Sequence, residues 1–290
     1  MNKIYQVYQV SDSTGETLDR IFLAIKAQFS NFNCKTIHYS FTRTENQIDK
    51  IIAKCKEEEN VIILYTIVDS NLAKYLTIKT KENNVPCFEV LGNLITNFSK
   101  LLNKEASRKP SGQHALDKDY YDRIEAVQFT MSHDDGKIIS DLEKSDILLI
   151  GVSRTSKTPT SIYLANRGYK TSNIPLIPNK ELPTEVIQNS KKICTVGLVC
   201  DPTRLSDVRR NRIHSLKEDR PQEYTNEEAI IAELDNSKKL FKKYKWPVID
   251  VTRKYVEETA ASIIKIYDIL HYKWIKKLSS LKKAGSEKKF

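Results

Sequence analysis

The middle of the chain reads Asp146-Ile147-Leu148-Leu149-Ile150-Gly151-Val152-Ser153-Arg154-Thr155-Ser156-Lys157-Thr158-Pro159. The apolar run at its start is typical of a buried strand, and the loop that follows carries Lys157 and Thr158. An amphipathic segment then leads to Gly168. Pro159 suits the first turn of a helix, and Gly168 suits its C-terminal end. Strand, loop and helix in this order are the setting of a phosphate-binding P-loop.

The residues of this loop, Gly151–Thr158, suit an anion. Backbone amides at a helix N-terminus attract phosphate, Lys157 adds a positive charge, and the Thr158 hydroxyl can hold Mg²⁺. The usual pattern is G-x-x-x-x-G-K-[ST], and here Ser156 replaces the second glycine. The alternative is a surface turn that happens to contain Lys-Thr. The flanking strand and helix favour phosphate binding.

Length and composition describe an ordinary soluble protein. The 290 residues are enough for one large or two moderate domains, and hydrophobic residues make up 40% of them. No apolar stretch approaches the roughly 18 residues that a membrane span needs. The N-terminus runs directly into a strand-like pattern without the apolar block of a signal peptide. We therefore expect a cytoplasmic protein.

The cysteines and the net charge exclude some classes of function. Five scattered cysteines form no C-x-x-C pair, which argues against a zinc ribbon or a disulfide framework. The net charge of +10 lies largely in the segment 273–290, which holds seven lysines and one glutamate. Such a tail is more typical of a solvated chain end than of a nucleic-acid arm, so nucleic-acid binding is disfavoured.

Strand-like and helical patterns alternate along the whole chain, which predicts an α/β fold with parallel sheets. The run Val61–Tyr65 is apolar throughout, as expected for a strand covered on both faces. We predict an N-terminal parallel-sheet α/β domain over 1–140 and a P-loop-containing α/β domain over 141–275. A basic, disordered tail would follow over 276–290. The alternative is one extended sheet shared by both domains.

Two further polar stretches are candidate sites. The N-terminal loop, Ser11-Asp12-Ser13-Thr14-Gly15, follows the first strand and could either cap the next helix or bind phosphate through its amides. The segment His133-Asp134-Asp135-Gly136 could supply a base and metal ligands. It could also be a helix-terminating turn, and the residues alone favour the turn.

An aspartate and a group of arginines follow the next predicted strand after the P-loop. Asp201 could be a Mg²⁺ ligand or the N-cap of the helix that opens at Pro202. That helix is rich in arginine, whose guanidinium groups match phosphate oxygens, although a solvated basic face is the alternative. The arginines concerned are Arg204, Arg209, Arg210 and Arg212.

Several motifs, taken together and in order, resemble the bacterial pyruvate, phosphate dikinase regulatory protein family, which is related to the phosphoenolpyruvate synthase regulatory proteins. The resemblance extends from about Tyr5 to Leu270. The motifs are Val10–Thr17, Arg123–Phe129, His133–Gly136, Gly151–Pro159, Asp201-Pro202 with Arg204-Leu205, and Val248–Thr252. The family itself carries Ser or Gly at the position of Ser156. Thr155-Ser156 resembles the dikinase-directed members more than the synthase-directed ones.

This resemblance implies a bifunctional enzyme. One activity transfers a phosphoryl group from ADP to a threonine near the catalytic histidine of the dikinase and inactivates it. The other removes that phosphate by attack of inorganic phosphate and releases pyrophosphate. ADP, inorganic phosphate and Mg²⁺ are the implied small molecules, and pyruvate, phosphate dikinase is the implied protein partner. A homodimer is a common state for cytoplasmic enzymes of this size.

The resemblance also implies roles for individual residues. It implies that the P-loop (Gly151, Val152, Ser153, Arg154, Thr155, Ser156, Lys157, Thr158) cradles the two phosphates of ADP, with Thr158 at the metal. It implies catalytic roles for Lys157, His133, Asp134 and Asp135. The remaining candidates for phosphate or substrate are Ser11, Asp12, Ser13, Thr14, Gly15, Asp201, Arg204, Arg209 and Arg212. Two other functions remain open: a P-loop kinase of small molecules such as nucleotides, and a non-catalytic nucleic-acid-binding protein.

Overall fold

The structure is a computed structural model that describes residues 3–112, 118–216 and 224–286. The chain divides into two compact units, residues 1–115 and 116–290. Within the described residues, no helix has both the length and the apolar character needed to cross a membrane.

The first unit is a parallel four-stranded sheet with the strand order β2-β1-β3-β4. Its core lies around β1 and β3, where Tyr8, Val10 and Ile63 are fully buried. The elements are β1 (Tyr5–Ser11), α1 (Glu16–Lys26), β2 (Cys34–Tyr39), α2 (Glu45–Glu57), β3 (Val61–Thr66), α3 (Ser70–Glu82), β4 (Cys87–Glu89) and α4 (Gly92–Leu102). The α2 helix begins at a capping box, in which the Thr44 hydroxyl accepts from the Gln47 amide.

The second unit is also a parallel four-stranded sheet, with the order β6-β5-β7-β8. The elements are α5 (Lys118–Ser132), β5 (Ile147–Val152), α6 (Lys157–Ala165), β6 (Thr171–Leu176), α7 (Thr184–Asn189), β7 (Cys194–Val199), α8 (Pro202–Leu216), α9 (Glu227–Tyr244), β8 (Val248–Asp250) and α10 (Val256–Ser286). Every residue of β5 and β7 is buried, because helices cover both faces of a parallel sheet.

The predicted α/β class is confirmed, and each unit has a sheet of its own rather than a share in one extended sheet. The division of the chain falls after 115, earlier than the predicted boundary at 140. The reason is α5, which packs on α6 and β6: Ala126 is fully buried, and the Thr130 hydroxyl accepts a hydrogen bond from the Thr171 amide at 3.0 Å. In the segment expected to be a disordered tail, the backbone of α10 is helical to Ser286, and residues 287–290 lie outside the described part.

Each sheet has a topological switch point beside its first strand. The chain leaves β1 toward β2 on one side and later returns to β3 on the other, and β5, β6 and β7 repeat this arrangement. Ligands of open α/β sheets bind outside the carboxyl ends of the strands at such a point. The N-terminal loop follows β1 and the P-loop follows β5, so each lies at that edge of its own sheet.

Gly197 in β7 leaves room for a buried aromatic ring of α9. A Cβ atom at this position would lie 2.6 Å from Cδ2 of Phe241, which is fully buried. We expect Gly197→Ala to lower the free energy of unfolding by about 1–3 kcal/mol, because overpacking forces the ring to move. Urea denaturation measures this loss. Gly112→Ala is the control, since nothing lies within 4 Å of its Cβ position; equal stability of both variants would contradict the prediction.

Candidate active site

The P-loop connects the end of β5 to the start of α6. Ser156 has a φ of 58° and Arg154 a φ of 72°, so both lie in the left-handed region that normally favours glycine. Ser156 therefore adopts the backbone conformation that the usual second glycine of the motif would supply. Non-glycine residues in this region are uncommon and concentrate at functional sites.

Gly151 is required by close packing rather than by its backbone angles. A Cβ atom here would lie 2.7 Å from the Leu198 carbonyl oxygen and 2.7 Å from Thr155 Oγ1. The first glycine of the motif therefore allows the neighbouring strand β7 and the returning loop to approach the end of β5.

Lys157 is held inside the loop by the last residue of β5. Its side chain is 5% exposed, and its Nζ donates a hydrogen bond to the Val152 carbonyl oxygen at 2.9 Å. The Thr155 hydroxyl donates to the same oxygen at 2.9 Å. Burial lowers the pKa of Lys157 to about 8, while the charges of Asp135 and Asp134 act in the opposite direction. The charges of both aspartates therefore act on the ammonium group.

Asp134 lies against the start of α6. Its Oδ1 accepts a hydrogen bond from the Thr158 hydroxyl at 2.8 Å. Asp134, Asp135 and Gly136 form one short 3₁₀ turn after α5, in which Asp135 has a φ of 53°. The turn that the residues alone favoured is therefore present, and it also brings the two carboxylates to the P-loop.

Asn173 of β6 fixes this turn, and sequence reasoning missed it. The side chain is fully buried; its Nδ2 donates to Asp134 Oδ1 at 2.6 Å and to Ser161 Oγ at 3.3 Å. Its Oδ1 accepts from the Asp135 amide at 3.1 Å. Asparagine in the middle of a strand was the available signal, since few strands bury an amide without a specific partner.

His133 directly precedes the turn, and both of its ring nitrogens make close polar contacts. It is 3% exposed, its Nε2 lies 2.7 Å from Asp141 Oδ1, and its Nδ1 lies 2.7 Å from the Phe129 carbonyl oxygen. The hydrogen bond to His133 lowers the pKa of Asp141. Because both ring nitrogens face protein oxygens, these contacts favour a positioning role for His133, and its catalytic role stays a prediction.

Asp201 caps α8. Its Oδ1 accepts a hydrogen bond from the Arg204 amide at 3.0 Å, which is the bond that an N-cap aspartate makes to the third residue of a helix. Of the two interpretations of Asp201, this geometry supports the cap.

The arginines of α8 differ in their surroundings. Arg209 is 1% exposed and pairs with Glu233 of α9, with Nη2 2.7 Å from Oε2. Its Nη2 also donates to the Ser153 carbonyl oxygen at 3.3 Å. Arg209 therefore links the P-loop to α9 through protein acceptors, and its contact with a phosphate stays a prediction. Arg204 and Arg212 are exposed on the same helix.

The N-terminal loop of the first unit borders a small cleft of about 180 Å³. Ser11, Asp12 and Ser13 are buried, and Asp12 Oδ2 accepts from the Val68 amide at 2.7 Å. The α1 helix begins after Gly15, whose φ is 90°, and has no side-chain cap. The capping alternative for this loop is therefore wrong, and phosphate binding by residues 11–15 stays a prediction.

The oxygen ligands beside the P-loop fit Mg²⁺. Among the described residues, no group of three or more His, Cys, Asp or Glu side chains could hold a metal ion by itself. Mg²⁺ usually needs only one or two carboxylates, together with substrate phosphates and water. The Thr158 hydroxyl and the Asp134 carboxylate, 2.8 Å apart, supply hard oxygen donors of that kind.

The pKa of Lys157 predicts how anion binding depends on pH. We expect inorganic pyrophosphate to bind progressively more weakly as the pH rises through about 8, because Lys157 loses its proton there. The charges of Arg154 and Arg209 lower this pKa further. Titration calorimetry between pH 7 and pH 9 measures the change.

Lys157→Met is the control for this measurement. The variant should bind pyrophosphate weakly and lack the change attributed to Lys157, while the titration of the ligand itself is common to both proteins. An identical pH profile in the two proteins would contradict the role of the lysine.

Comparison with known proteins gives consistent matches over most of the chain. Residues 7–264 match the family model described as Kinase/pyrophosphorylase. A Pelagibacter ubique protein is 62% identical over 93% of this chain and 98% of its own length. Proteins of Sinorhizobium fredii and Chelativorans sp. are 43% and 42% identical, each over 90% of this chain and 96% of their own. All three are named "Putative pyruvate, phosphate dikinase regulatory protein".

Proposed function

This chain belongs to the kinase/pyrophosphorylase family, as its sequence motifs indicated, and we propose that it regulates pyruvate, phosphate dikinase by two opposed reactions. In the first, the β-phosphoryl group of ADP passes to a threonine hydroxyl of the dikinase, which leaves AMP and a proton. In the second, inorganic phosphate attacks the phosphothreonine, which restores the hydroxyl and releases pyrophosphate. The names of the relatives support the choice of partner.

The observation that carries this proposal is the contact between Thr158 and Asp134, whose oxygens lie 2.8 Å apart. It joins the P-loop to the Asp134-Asp135 turn, although 24 positions separate the two residues in the chain. Phosphoryl transfer requires a phosphate cradle, a positive charge and a group that orients the acceptor. The P-loop, Lys157 and the Asp134-Asp135 turn provide these three elements in one place.

In the kinase direction, the amides of the P-loop hold the two phosphates of ADP. Lys157 offsets the charge that spreads over the oxygens of the transferred group. The two aspartates have different roles. Asp134 accepts hydrogen bonds from Thr158 and Asn173 and would be a ligand of the metal. The exposed Asp135 would orient the threonine hydroxyl and accept its proton.

In the phosphorolysis direction, phosphate must approach a phosphothreonine that is itself an anion. Lys157 and the P-loop amides reduce this repulsion, so one site serves both reactions. When bound, Mg²⁺ supplies further positive charge to the phosphate oxygens. Thr158 and Asp134 are the residues that would hold it.

The proposal is tested by mixing the purified protein with the dikinase, Mg²⁺ and either ADP or ATP, and following threonine phosphorylation by mass spectrometry. We expect phosphorylation with ADP alone, and its reversal by added phosphate with release of pyrophosphate. Absence of transfer from both nucleotides would refute the proposal. Turnover of a small acceptor in the absence of the dikinase would instead identify a small-molecule kinase.

A further inference from the structure

A large cavity of about 740 Å³ lies beside the P-loop in the second unit. One wall consists of Val152 and Leu176, the last residues of β5 and β6, which are partners in the sheet. The segment that follows β6 forms another wall, and α9 forms a third wall with Ala232 and Tyr244. The volume falls within the range of small-molecule sites, about 300–1,000 Å³.

This cavity adjoins the P-loop at Val152. Val152 lines the cavity, and its carbonyl oxygen also accepts the hydrogen bond from Lys157. Glu233 lines it as well and binds Arg209, which in turn donates to the carbonyl oxygen of Ser153. The cavity and the P-loop therefore share the end of β5, so a ligand with phosphates on the P-loop has this cavity next to it.

The cavity walls suit a flat, mostly apolar group with polar edges. Leu176, Leu182 and Leu240 provide apolar surface, and Asn179 and Asn236 provide polar groups. Tyr244 also lines the cavity, and its ring stacks on Trp246 with centroids 5.0 Å apart, which holds the ring in place. Binding sites for cofactors combine such walls with a few polar groups that fix the orientation of the ligand.

We propose that this cavity binds the nucleoside of the nucleoside diphosphate whose phosphates lie on the P-loop. The inference rests on the proposed use of ADP as phosphoryl donor. It assigns the residues beyond the P-loop, on β6 and α9, that recognise the base and ribose. A segment of the protein substrate is the competing occupant, but the position of the cavity next to the P-loop, at Val152, favours a ligand that carries its own phosphates.

The test compares ADP with inorganic pyrophosphate, which has the phosphates but no nucleoside. Ala232→Trp fills the cavity from α9, at an exposed helix position where a larger side chain should not disturb folding. Lys239→Trp adds the same bulk at an exposed position of the same helix that does not line the cavity. Affinities for both ligands are measured by titration calorimetry with Mg²⁺, and circular dichroism checks the fold.

We expect Ala232→Trp to weaken ADP binding by about tenfold or more, since the base loses its buried aromatic contact area. The Ala232→Trp variant should bind pyrophosphate with the same affinity as the Lys239→Trp variant. Unchanged ADP affinity, or an equal loss for both ligands, would overturn the inference. A raised KM for the dikinase with unchanged ADP affinity would overturn it in favour of a peptide site.

Because this readout is binding, it stays separate from the proposed function. A wild-type protein that binds ADP but fails to phosphorylate the dikinase would contradict the function and still allow the cavity to be tested. A wild-type protein that binds ADP no more tightly than pyrophosphate would contradict the nucleoside pocket, whatever the result of the transfer assay.

Discussion

Replacing Lys157 with alanine is expected to abolish both phosphorylation of the dikinase and its reversal. The ammonium group is buried in the P-loop and feels the charges of Asp134 and Asp135, and in the proposed mechanism it offsets charge on the transferred phosphoryl group. Losing a preorganised charge contact of this kind typically reduces kcat by roughly a hundred- to a thousandfold. Initial rates of threonine phosphorylation and of pyrophosphate release measure the two directions separately.

The exposed Lys239 of α9 provides the matched control, and Lys239→Ala should keep both rates. We expect Lys157→Ala to remain folded, because burial already disfavours the charged form of this lysine. Survival of one direction in the variant would show that phosphorylation and phosphorolysis use different sites.

The second large effect is expected for Asp134→Asn, which keeps the size of the side chain and removes its charge. Asp134 Oδ1 accepts hydrogen bonds from Thr158 and Asn173, the latter at 2.6 Å. An amide oxygen can keep both bonds but is a weaker ligand for Mg²⁺ than a carboxylate. We expect kcat to fall by roughly a hundredfold in both directions, in line with other losses of electrostatic stabilisation, and the Mg²⁺ requirement to rise.

Rates measured over a range of Mg²⁺ concentrations distinguish this role from simple loss of structure. Asp235→Asn on the exposed face of α9 is the control for removing a carboxylate. Asp135→Asn should instead slow the kinase direction without changing the Mg²⁺ requirement, since Asp135 is proposed to orient the acceptor. A rise in the Mg²⁺ requirement for Asp135→Asn alone would mean that the two aspartates have exchanged roles.

The secondary structure, including the strand, loop and helix around Gly151–Thr158, could be predicted from the sequence because it depends on local patterns. Helix α9, Glu227–Tyr244, follows an amphipathic pattern, since Ile230, Leu234 and Phe241 are among its buried residues. The apolar run before Gly151 becomes a fully buried strand, as its composition requires. The left-handed backbone conformation of Ser156 could not be predicted in this way, because residues with a side chain seldom adopt it.

Other features were predicted only as alternatives. Asp201 could be a metal ligand or a helix cap. Its hydrogen bond from the Arg204 amide supports the cap. The N-terminal loop could cap α1, but the N-cap residue of this helix is Gly15, and no side chain caps it. In such cases one residue type suits two roles equally, and only the hydrogen-bond partners in the folded chain distinguish them.

The sequence by itself determined the order of strands and helices, the strand–loop–helix segment that contains Gly151–Thr158, and the family to which the chain belongs. The tertiary structure alone decided which distant residues meet. It joins Asp134 to Thr158 by a hydrogen bond, and Asn173 to both Asp134 and Asp135 by hydrogen bonds. It also pairs Arg209 with Glu233. The physical reason is that periodicity and turn chemistry act over a few residues, whereas these contacts depend on strand order and on helix packing across the sheet. Neither of these leaves a local pattern in the sequence.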